Sequence, residues 1–242
     1  MIILILLGIL IGFIAGFFGV GGGMVLVPFL IYFGYDIKEA IGISIVQMLL
    51  SSIYGSYLNL KHHKNLIKDG FILGIGGFTG GLFSGYIVAN IDGIYLHYLF
   101  IFIVILSIYK LFNSPIKQIK SKTNHNKFYL FLIGMIVGVI AMSVGVGGAV
   151  MLTPILVSYL YYDQKEASSL ALFFVIFSAS AGLMSQLFNT NILIKEGLII
   201  GLSSFVGVYF GVKSKVIIDP RYYRVLLLAL NITIFTYMVY KA

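Results

Sequence analysis

The sequence predicts an all-α, polytopic membrane protein that is built from two related halves. Of its 242 residues, 60% are hydrophobic and only 10% are charged, which is too apolar for an ordinary soluble domain. A bilayer-spanning helix needs about 20 mostly apolar residues, and such stretches follow one another along the chain. A glycine-rich motif that recurs half a chain later is the third observation behind this fold class.

Apolar stretches bounded by charged or polar residues divide the chain into eight predicted segments. They lie at 2–34, 40–58, 70–89, 94–112, 128–160, 167–188, 196–212 and 222–240. The first segment has no basic region before it and is followed by further spans, so we expect it to belong to the mature protein.

One long polar stretch, NSPIKQIKSKTNHNK at 113–127, separates four segments from the other four. Such a stretch is typical of a linker. We therefore divide the chain into an N-terminal transmembrane repeat at 1–112, a basic polar linker at 113–127 and a C-terminal transmembrane repeat at 128–242.

The two halves share a sequence pattern. Moving 12–30 along by 126 positions places it on 138–156 with ten of 19 residues identical and no gap. Further along, DIKEA at 36–40 returns as DQKEA at 163–167, and LIKDG returns as LIKEG. A repeat of this length indicates an internal duplication.

The distribution of basic residues favours halves of opposite orientation. Lys and Arg concentrate in cytoplasmic loops. If each glycine-broken segment crosses the membrane once, the 16 Lys and Arg divide 10 against 6, whereas segments that turn back give 13 against 3. We therefore expect re-entrant first segments, inverted halves and both termini outside the cell.

The first segment contains FFGVGGGMVLVP at 17–28, with four glycines in five positions. A phosphate-binding loop does not fit, because no Gly-Lys-Ser or Gly-Lys-Thr follows. Glycines four residues apart, as at Gly8 and Gly12, are typical of helix packing in lipid. Contiguous glycines point around several sides of a helix and cost about 0.8–1 kcal/mol each. The motif therefore predicts a broken helix.

A helix broken inside hydrocarbon leaves polar backbone groups that must face a cavity or a ligand. Each restarted helix presents free N–H groups and a positive dipole end, so two such ends together predict an anion site. The candidate binding residues are Gly19, Gly21, Gly22, Gly23, Met24, Ser44, Gln47, Gly145, Gly147, Gly148, Ala149 and Val150. Pro28 and Pro154 are candidate helix-break or hinge residues. No Lys or Arg lies well inside a predicted segment, so we expect backbone amides to be the main anchor.

A polar stripe runs along the second segment through Ser44, Gln47, Ser51, Gly55 and Asn59. It fits either a transport pathway or hydrogen bonds between helices. Gln47 is the stronger binding candidate, because a buried amide needs several partners. The second half has Phe174 at this position, so the contact is expected to be asymmetric.

The remaining polar residues exclude other classes of protein. Every acidic residue lies at a segment end, and two pairs, Asp36 with Glu39 and Asp163 with Glu166, have the spacing of a capping box. An intramembrane aspartyl protease or an acidic proton relay therefore has no candidate residues. The chain has no HExxH motif and no cysteine, so we expect no enzyme activity, no metal site and no cofactor. His97 is interpreted as an interfacial residue, and the net charge of +8 as cytoplasmic loops rather than nucleic-acid binding.

GVGGGMVLVP at 19–28 and GVGGAVMLTP at 145–154 resemble the TauE/SafE sulfite exporter-like membrane transporters, and the resemblance covers essentially the whole chain. EAIGIS at 39–44 is also similar to the family's pattern. The second half departs from it, with Ala149 for the third glycine and EASSLA for EAIGIS. The resemblance implies transport of sulfite, sulfonates or other sulfur-containing anions.

The sequence therefore predicts a secondary transporter of small anions in the inner cell membrane. Sulfur-containing oxyanions or organosulfonates are the expected substrates, bound at the two glycine-rich breaks. Two alternatives remain open: an anion channel, and a non-transporting membrane scaffold or assembly protein. The expected partners are a small anionic substrate and the lipid bilayer, without nucleic acid.

Overall fold

The computed structural model describes residues 1–19, 21–60, 67–113 and 126–241, and these residues are almost entirely helical. The helices are α1 (Ile2–Phe18), α2 (Gly23–Tyr32), α3 (Ile37–Leu60), α4 (Ile67–Gly81), α5 (Ser84–Asn90), α6 (Gly93–Asn113), α7 (Lys127–Val144), α8 (Ala149–Tyr159), α9 (Gln164–Asn189), α10 (Ile194–Ile217) and α11 (Pro220–Lys241). The predicted all-α class is confirmed. Most of the predicted linker lies outside the described residues. So does the basic loop at 61–66, whose His62 and His63 the sequence predicts to be solvated near lipid headgroups.

Seven apolar stretches of the described helices are long enough to cross a membrane. One of them, Ile67–Asn90, combines α4 and α5 across a turn at 82–83. The three shorter apolar helices are α1, α2 and α8, which flank the two glycine motifs. Each of the predicted segments 2–34 and 128–160 is thus two helices in the structure.

Local capping explains where several helices begin. The backbone N–H of Asp36 donates to Glu39 Oε2 at 3.0 Å, and that of Asp163 donates to Glu166 Oε2 at 3.3 Å. These contacts confirm the predicted capping boxes before α3 and α9. The side chain of Asn126 accepts from the N–H of Phe128 and caps α7.

Helix α1 packs against α10 of the other half, and the two run parallel. Gly8 lies against Ile200 and Gly16 lies against Val208. A Cβ atom on Gly12 would overlap the backbone of α10, so the small residues let the two backbones touch. The packing role predicted for the glycines at four-residue spacing is confirmed here.

Helix α3 also runs parallel to α10, because Val46 lies against Gly197 and Leu50 against Gly201. Both α1 and α3 therefore point in the same direction. Since only residues 33–36 separate α2 from α3, α2 must lead back towards the end at which α1 began. A first segment that turns back in this way is what the re-entrant arrangement requires, and its re-entry into the membrane stays a prediction.

The second half has the same arrangement. Its first helix, α7, packs against α4 of the first half, as α1 packs against α10 of the second half. Helices α4, α7 and α9 run parallel to one another, and α8 returns between α7 and α9. These directions follow from the contacts of Gly134 with Leu73, Gly138 with Gly77, Gly70 with Leu170 and Gly81 with Ser178. Each half thus packs its first helix on the other half.

Helix α3 crosses α9 in the antiparallel sense, because Gly42 lies near Gln186 and Asn59 accepts a hydrogen bond from Ser169. The two halves therefore run in opposite directions. Helices α6 and α11 are antiparallel as well, and there His97 Nε2 lies 2.9 Å from the carbonyl oxygen of Met238. His97, expected at the interface, is buried in this helix pair. The common origin of the halves and their membrane sidedness stay predictions.

Candidate functional site

The first break, which includes Gly19, Gly21 and Gly22, separates α1 from α2. Gly19, Gly21 and Gly22 have φ angles of 68°, 76° and 87°. L-residues with a side chain rarely adopt this left-handed region, so the glycines are required by the backbone path. The N–H of Gly19 donates to the carbonyl oxygen of Ala15 at 2.8 Å and ends α1. The predicted helix break is confirmed.

The second break, residues 145–148, separates α7 from α8 in the same way. Gly145 and Gly147 have φ angles of 70° and 67°. Helix α8 begins at Ala149, where α2 begins at Gly23. Neither of these two residues has a positive φ angle. The alanine at position 149 therefore leaves the second break intact.

The two breaks touch each other at Gly23 and Gly145. A Cβ atom on Gly23 would overlap the carbonyl oxygen of Gly145. The Ser44 hydroxyl donates to that same oxygen at 3.0 Å and also lies 2.8 Å from the carbonyl oxygen of Ile41. Gly23 is thus a glycine because of this close approach rather than because of its own backbone conformation.

Gln47 lies against the start of α2, as its predicted binding role requires. Its side chain is completely buried, and within the described part of the chain neither Oε1 nor Nε2 has a hydrogen-bond partner. A Cβ atom on Gly22 would lie 2.8 Å from Oε1 and 3.0 Å from Nε2. An unpaired buried amide costs about 1–3 kcal/mol. The structure thus places an unsatisfied polar group at the N-terminus of a half-helix.

The second break carries an aromatic ring at the corresponding place. A Cβ atom on Gly148 would overlap the ring of Phe174, which is completely buried. The side chains that face the two breaks therefore differ, and the asymmetric substrate contact stays a prediction. One break faces an amide and the other faces an apolar ring.

The first-turn N–H groups of α2 and α8 belong to Gly23, Met24, Ala149 and Val150. A helix supplies no acceptor to its first-turn N–H groups. Met24 and Val150 are buried, so these donors point into protein rather than into lipid. The positive ends of the two half-helices therefore lie inside the molecule.

A small cavity borders the start of α8. It has a volume of about 10 Å³, which is room for about one water. Its lining includes Ser107, Thr153 and Asn231, and neither Thr153 Oγ1 nor Asn231 Oδ1 has a hydrogen-bond partner among the described residues. Pro154 also lines this cavity.

A larger groove of about 420 Å³ lies beside α2, and Pro28 contributes to it. The groove has an apolar lining and opens between α1, α2 and α11. Both candidate hinge prolines thus lie inside short helices next to open space.

Lys215 was missed by the sequence analysis. It lies in the last turn of α10 and is only 3% exposed. Its ammonium donates to Ser168 Oγ at 2.9 Å, and Ser168 donates to the carbonyl oxygen of Phe18 at 3.1 Å. The Tyr223 hydroxyl donates to the same carbonyl at 2.7 Å. A buried cation thus lies next to the first break, just beyond the predicted segment 196–212.

A signal for Lys215 was present in the sequence. Gly207 and Gly211 face α1, and Lys215 continues their four-residue spacing on the same side of α10. The predicted segment ended at 212 because Lys213 marked a polar boundary. Lys213 is exposed, whereas Lys215 points inward.

Comparison with known proteins identifies the family. The sequence profile described as "Sulfite exporter TauE/SafE" matches residues 4–238. The chain belongs to the TauE/SafE family. No solved structure matches it significantly.

Several relatives of this TauE/SafE protein are named as probable membrane transporter proteins. One from Methanocaldococcus jannaschii is 28% identical, over 93% of this chain and 90% of its own length. YdhB of Bacillus subtilis is 30% identical over 61% of this chain and 62% of its own length. YunE of the same organism is 22% identical over 91% and 89% of the two chains. This TauE/SafE chain is therefore a multi-pass membrane transporter and not an enzyme.

Proposed function

We propose that the protein is a secondary transporter of small sulfur-containing oxyanions, which bind where the two breaks meet. The observation that carries this proposal is the Gln47 amide, which is buried without a partner against the N-terminus of α2. A bound substrate supplies the partner that the protein lacks. The sulfur-containing substrate class comes from the family description.

The charge of the substrate follows from the donors around Gln47. A helix N-terminus contributes about 0.3–1 kcal/mol to an anion, or roughly 2 kcal/mol when it is partly buried. Hydrogen bonds to a charged group contribute about 1.5–3 kcal/mol each. Several of these donors together offset the desolvation of one small anion. The resulting affinity is modest, which suits a substrate that must be released.

The unpaired amide also favours one protonation state of the substrate. Gln47 has both a donor, Nε2, and an acceptor, Oε1, without partners. A hydrogensulfite ion has oxygens that accept and an acidic proton to donate, so it satisfies both atoms. A fully deprotonated sulfate leaves Oε1 unpaired, and unpaired buried groups weaken binding.

Transport requires the two breaks to separate. Gly23 and Gly145 are in direct contact in this structure, and inverted halves with short helices between long ones are suited to alternating access around a central site. The two halves then move against each other about the substrate. The inner cell membrane is the proposed location.

The test uses the purified protein in proteoliposomes. Saturable uptake of radiolabelled sulfite, with counterflow when unlabelled sulfite is loaded inside, supports a carrier. Conductance without saturation or counterflow indicates an anion channel. No uptake of sulfite, sulfate, thiosulfate or taurine, together with no thermal stabilisation by any of them, favours the scaffold and refutes the proposal.

A further inference from the structure

We propose that Lys215 attracts the anionic substrate to the first break and sets its affinity there. This inference rests on the proposed function and adds a full positive charge to a site of backbone and amide donors. It concerns a residue that the glycine motifs do not include. It follows from where Lys215 lies and from what its ammonium contacts.

The first step is the position of the lysine on α10. Gly211, one turn earlier, lies against Phe13 and Phe17 of α1. Residues four apart share one side of a helix, so Lys215 extends the α1-facing side of α10 to the point where α1 ends. The side chain is buried there rather than directed to lipid or water.

The second step is the distance to the break. The ammonium of Lys215 donates to Ser168 Oγ at 2.9 Å. Ser168 Oγ in turn lies so close to Gly19 that a Cβ atom on Gly19 would overlap it. A single hydroxyl group therefore separates the charge from the first residue of the break.

The third step compares the sources of positive charge. A helix N-terminus is equivalent to about half an elementary charge, whereas an ammonium group carries a whole one. The C-terminus of α1, which carries the opposite partial charge, is satisfied at Phe18 by two hydroxyl groups, those of Ser168 and Tyr223.

The fourth step is the predicted sidedness. With both termini outside, α10 runs from outside to inside, so Lys215 lies at the cytoplasmic end of the first break. Buried charge is costly and is retained at sites where ions are handled. An anion that approaches from the cytoplasm meets this cation before it reaches Gln47.

The same helix provides a matched control. Lys213 lies two residues earlier, is exposed, and places its ammonium 4.4 Å from the centre of the Tyr209 ring. Removing either lysine changes the net charge equally. Only Lys215 is adjacent to the break, so only its removal is expected to change substrate affinity.

The experiment measures initial rates of radiolabelled sulfite uptake by reconstituted Lys215→Met, Lys215→Gln, Lys215→Arg and Lys213→Gln proteins. We expect the KM to rise about tenfold in the two neutral Lys215 variants, a factor that corresponds to one interaction with a charged group. We expect it to stay near the wild-type value in Lys215→Arg and Lys213→Gln. Replacing a buried charge by an apolar side chain is often tolerated, so Lys215→Met is expected to fold.

Two outcomes overturn the inference alone. One is wild-type KM in folded Lys215→Met or Lys215→Gln protein. The other is loss of the fold in both neutral variants, checked by circular dichroism and gel filtration, because the lysine is then a structural cap. Absence of saturable uptake by the wild-type protein refutes the proposed function instead, and this result is separate from both.

Discussion

The α-carbon of Gly23 packs so closely against the carbonyl oxygen of Gly145 that a Cβ atom on Gly23 would overlap it. Gly23 begins α2 in the first half, and Gly145 precedes α8 in the second half. The two residues are far apart in the chain. Their contact joins the two breaks into one place. It also explains why a third glycine is needed at 23, whereas Ala149 is accepted at the corresponding position.

Gly23→Ala is expected to push the two breaks apart. Overpacking of this kind costs about 1–3 kcal/mol, so we expect a lower melting temperature and a loss of sulfite uptake. The matched control is Ala149→Gly, which removes a methyl group from the same position of the other half and costs about 0.5–1 kcal/mol as a glycine in a helix. Thermal unfolding and uptake are measured for both. Equal effects of the two substitutions contradict the role assigned to the contact.

Gln47→Leu is expected to make the ligand-free protein more stable and to weaken substrate binding. Removing an unpaired buried amide stabilises the ligand-free protein by about 1–3 kcal/mol, whereas binding loses its proposed partner. We expect a higher melting temperature without ligand and no further rise when sulfite is added. The control is Gln186→Leu, because Nε2 of Gln186 already donates to the carbonyl oxygen of Met142 at 3.5 Å. Retention of the sulfite-induced shift in Gln47→Leu refutes the binding role of this amide.

Gly207→Ala is expected to destabilise the crossing of α1 and α10. A Cβ atom on Gly207 would overlap the backbone of α1 at Ile9, which costs about 1–3 kcal/mol. A Cβ atom added to Gly55 would have its nearest neighbours 3.5 Å away, which is an ordinary van der Waals distance. Gly55→Ala is therefore expected to stabilise α3 by about 0.5–1 kcal/mol. Chemical denaturation in detergent compares the two, and the same sign of change at both positions contradicts the packing assignment.

The Tyr162 hydroxyl donates to Asp69 Oδ2 at 2.6 Å and ties the loop after α8 to the start of α4. Burial first, and then the hydrogen bond and the negative charge of Asp69, raise the pKa of Tyr162 well above its ordinary value of 10.0. Below that value the hydroxyl is protonated in both folded and unfolded chains, and its stabilising effect is complete. Above it only the unfolded chain loses the proton, so stability falls as pH rises.

We therefore expect the melting temperature to drop between one pH unit below and one above the ordinary tyrosine value of 10.0. The drop is expected to be smaller in Tyr162→Phe, which has no hydroxyl to titrate. In neutral buffer this variant loses about 1.5–3 kcal/mol, as for a hydrogen bond to a charged group. An identical alkaline drop in both proteins assigns the effect to other tyrosines.

Both termini are expected outside the cell. The chain has no cysteine, so single cysteines can be labelled selectively with a membrane-impermeant maleimide. Tyr240 is 88% exposed near the end of α11. Ile217 is 87% exposed at the end of α10, which the predicted topology places on the other side of the membrane. In intact cells, Tyr240→Cys is expected to react and Ile217→Cys to react only after lysis. The reverse labelling pattern contradicts the predicted orientation of the protein in the membrane and leaves the description of the fold unchanged.

The broken helices could be predicted from the sequence because their causes are local. A contiguous glycine run lowers helix stability wherever it stands, and the positive φ angles at Gly19 and Gly145 are a property of each break alone. The capping boxes before α3 and α9 could also be read directly, because their residues are three apart. Gln47 was found because an amide is out of place in an apolar stretch.

Lys215 could not be assigned in this way, because a lysine near the end of an apolar segment is usually solvated or at a lipid headgroup. Its hydrogen-bond partner, Ser168, comes from another helix, α9. The partner of each long helix is also hidden, since a ridge of glycines shows that a helix packs closely but not against which neighbour. For α1 that neighbour is α10 of the other half.

By itself, the sequence determined the helical membrane class, the two breaks and the family resemblance, since hydropathy and glycine conformation act over a few residues. The tertiary structure alone decided that Gly23 meets Gly145, that Gln47 faces Gly22 without a partner among the described residues, and that Ser168 lies between Lys215 and Gly19. The physical reason is that each of these contacts joins residues of separate helices. Their proximity depends on how whole helix faces pack, and local composition carries no record of that choice.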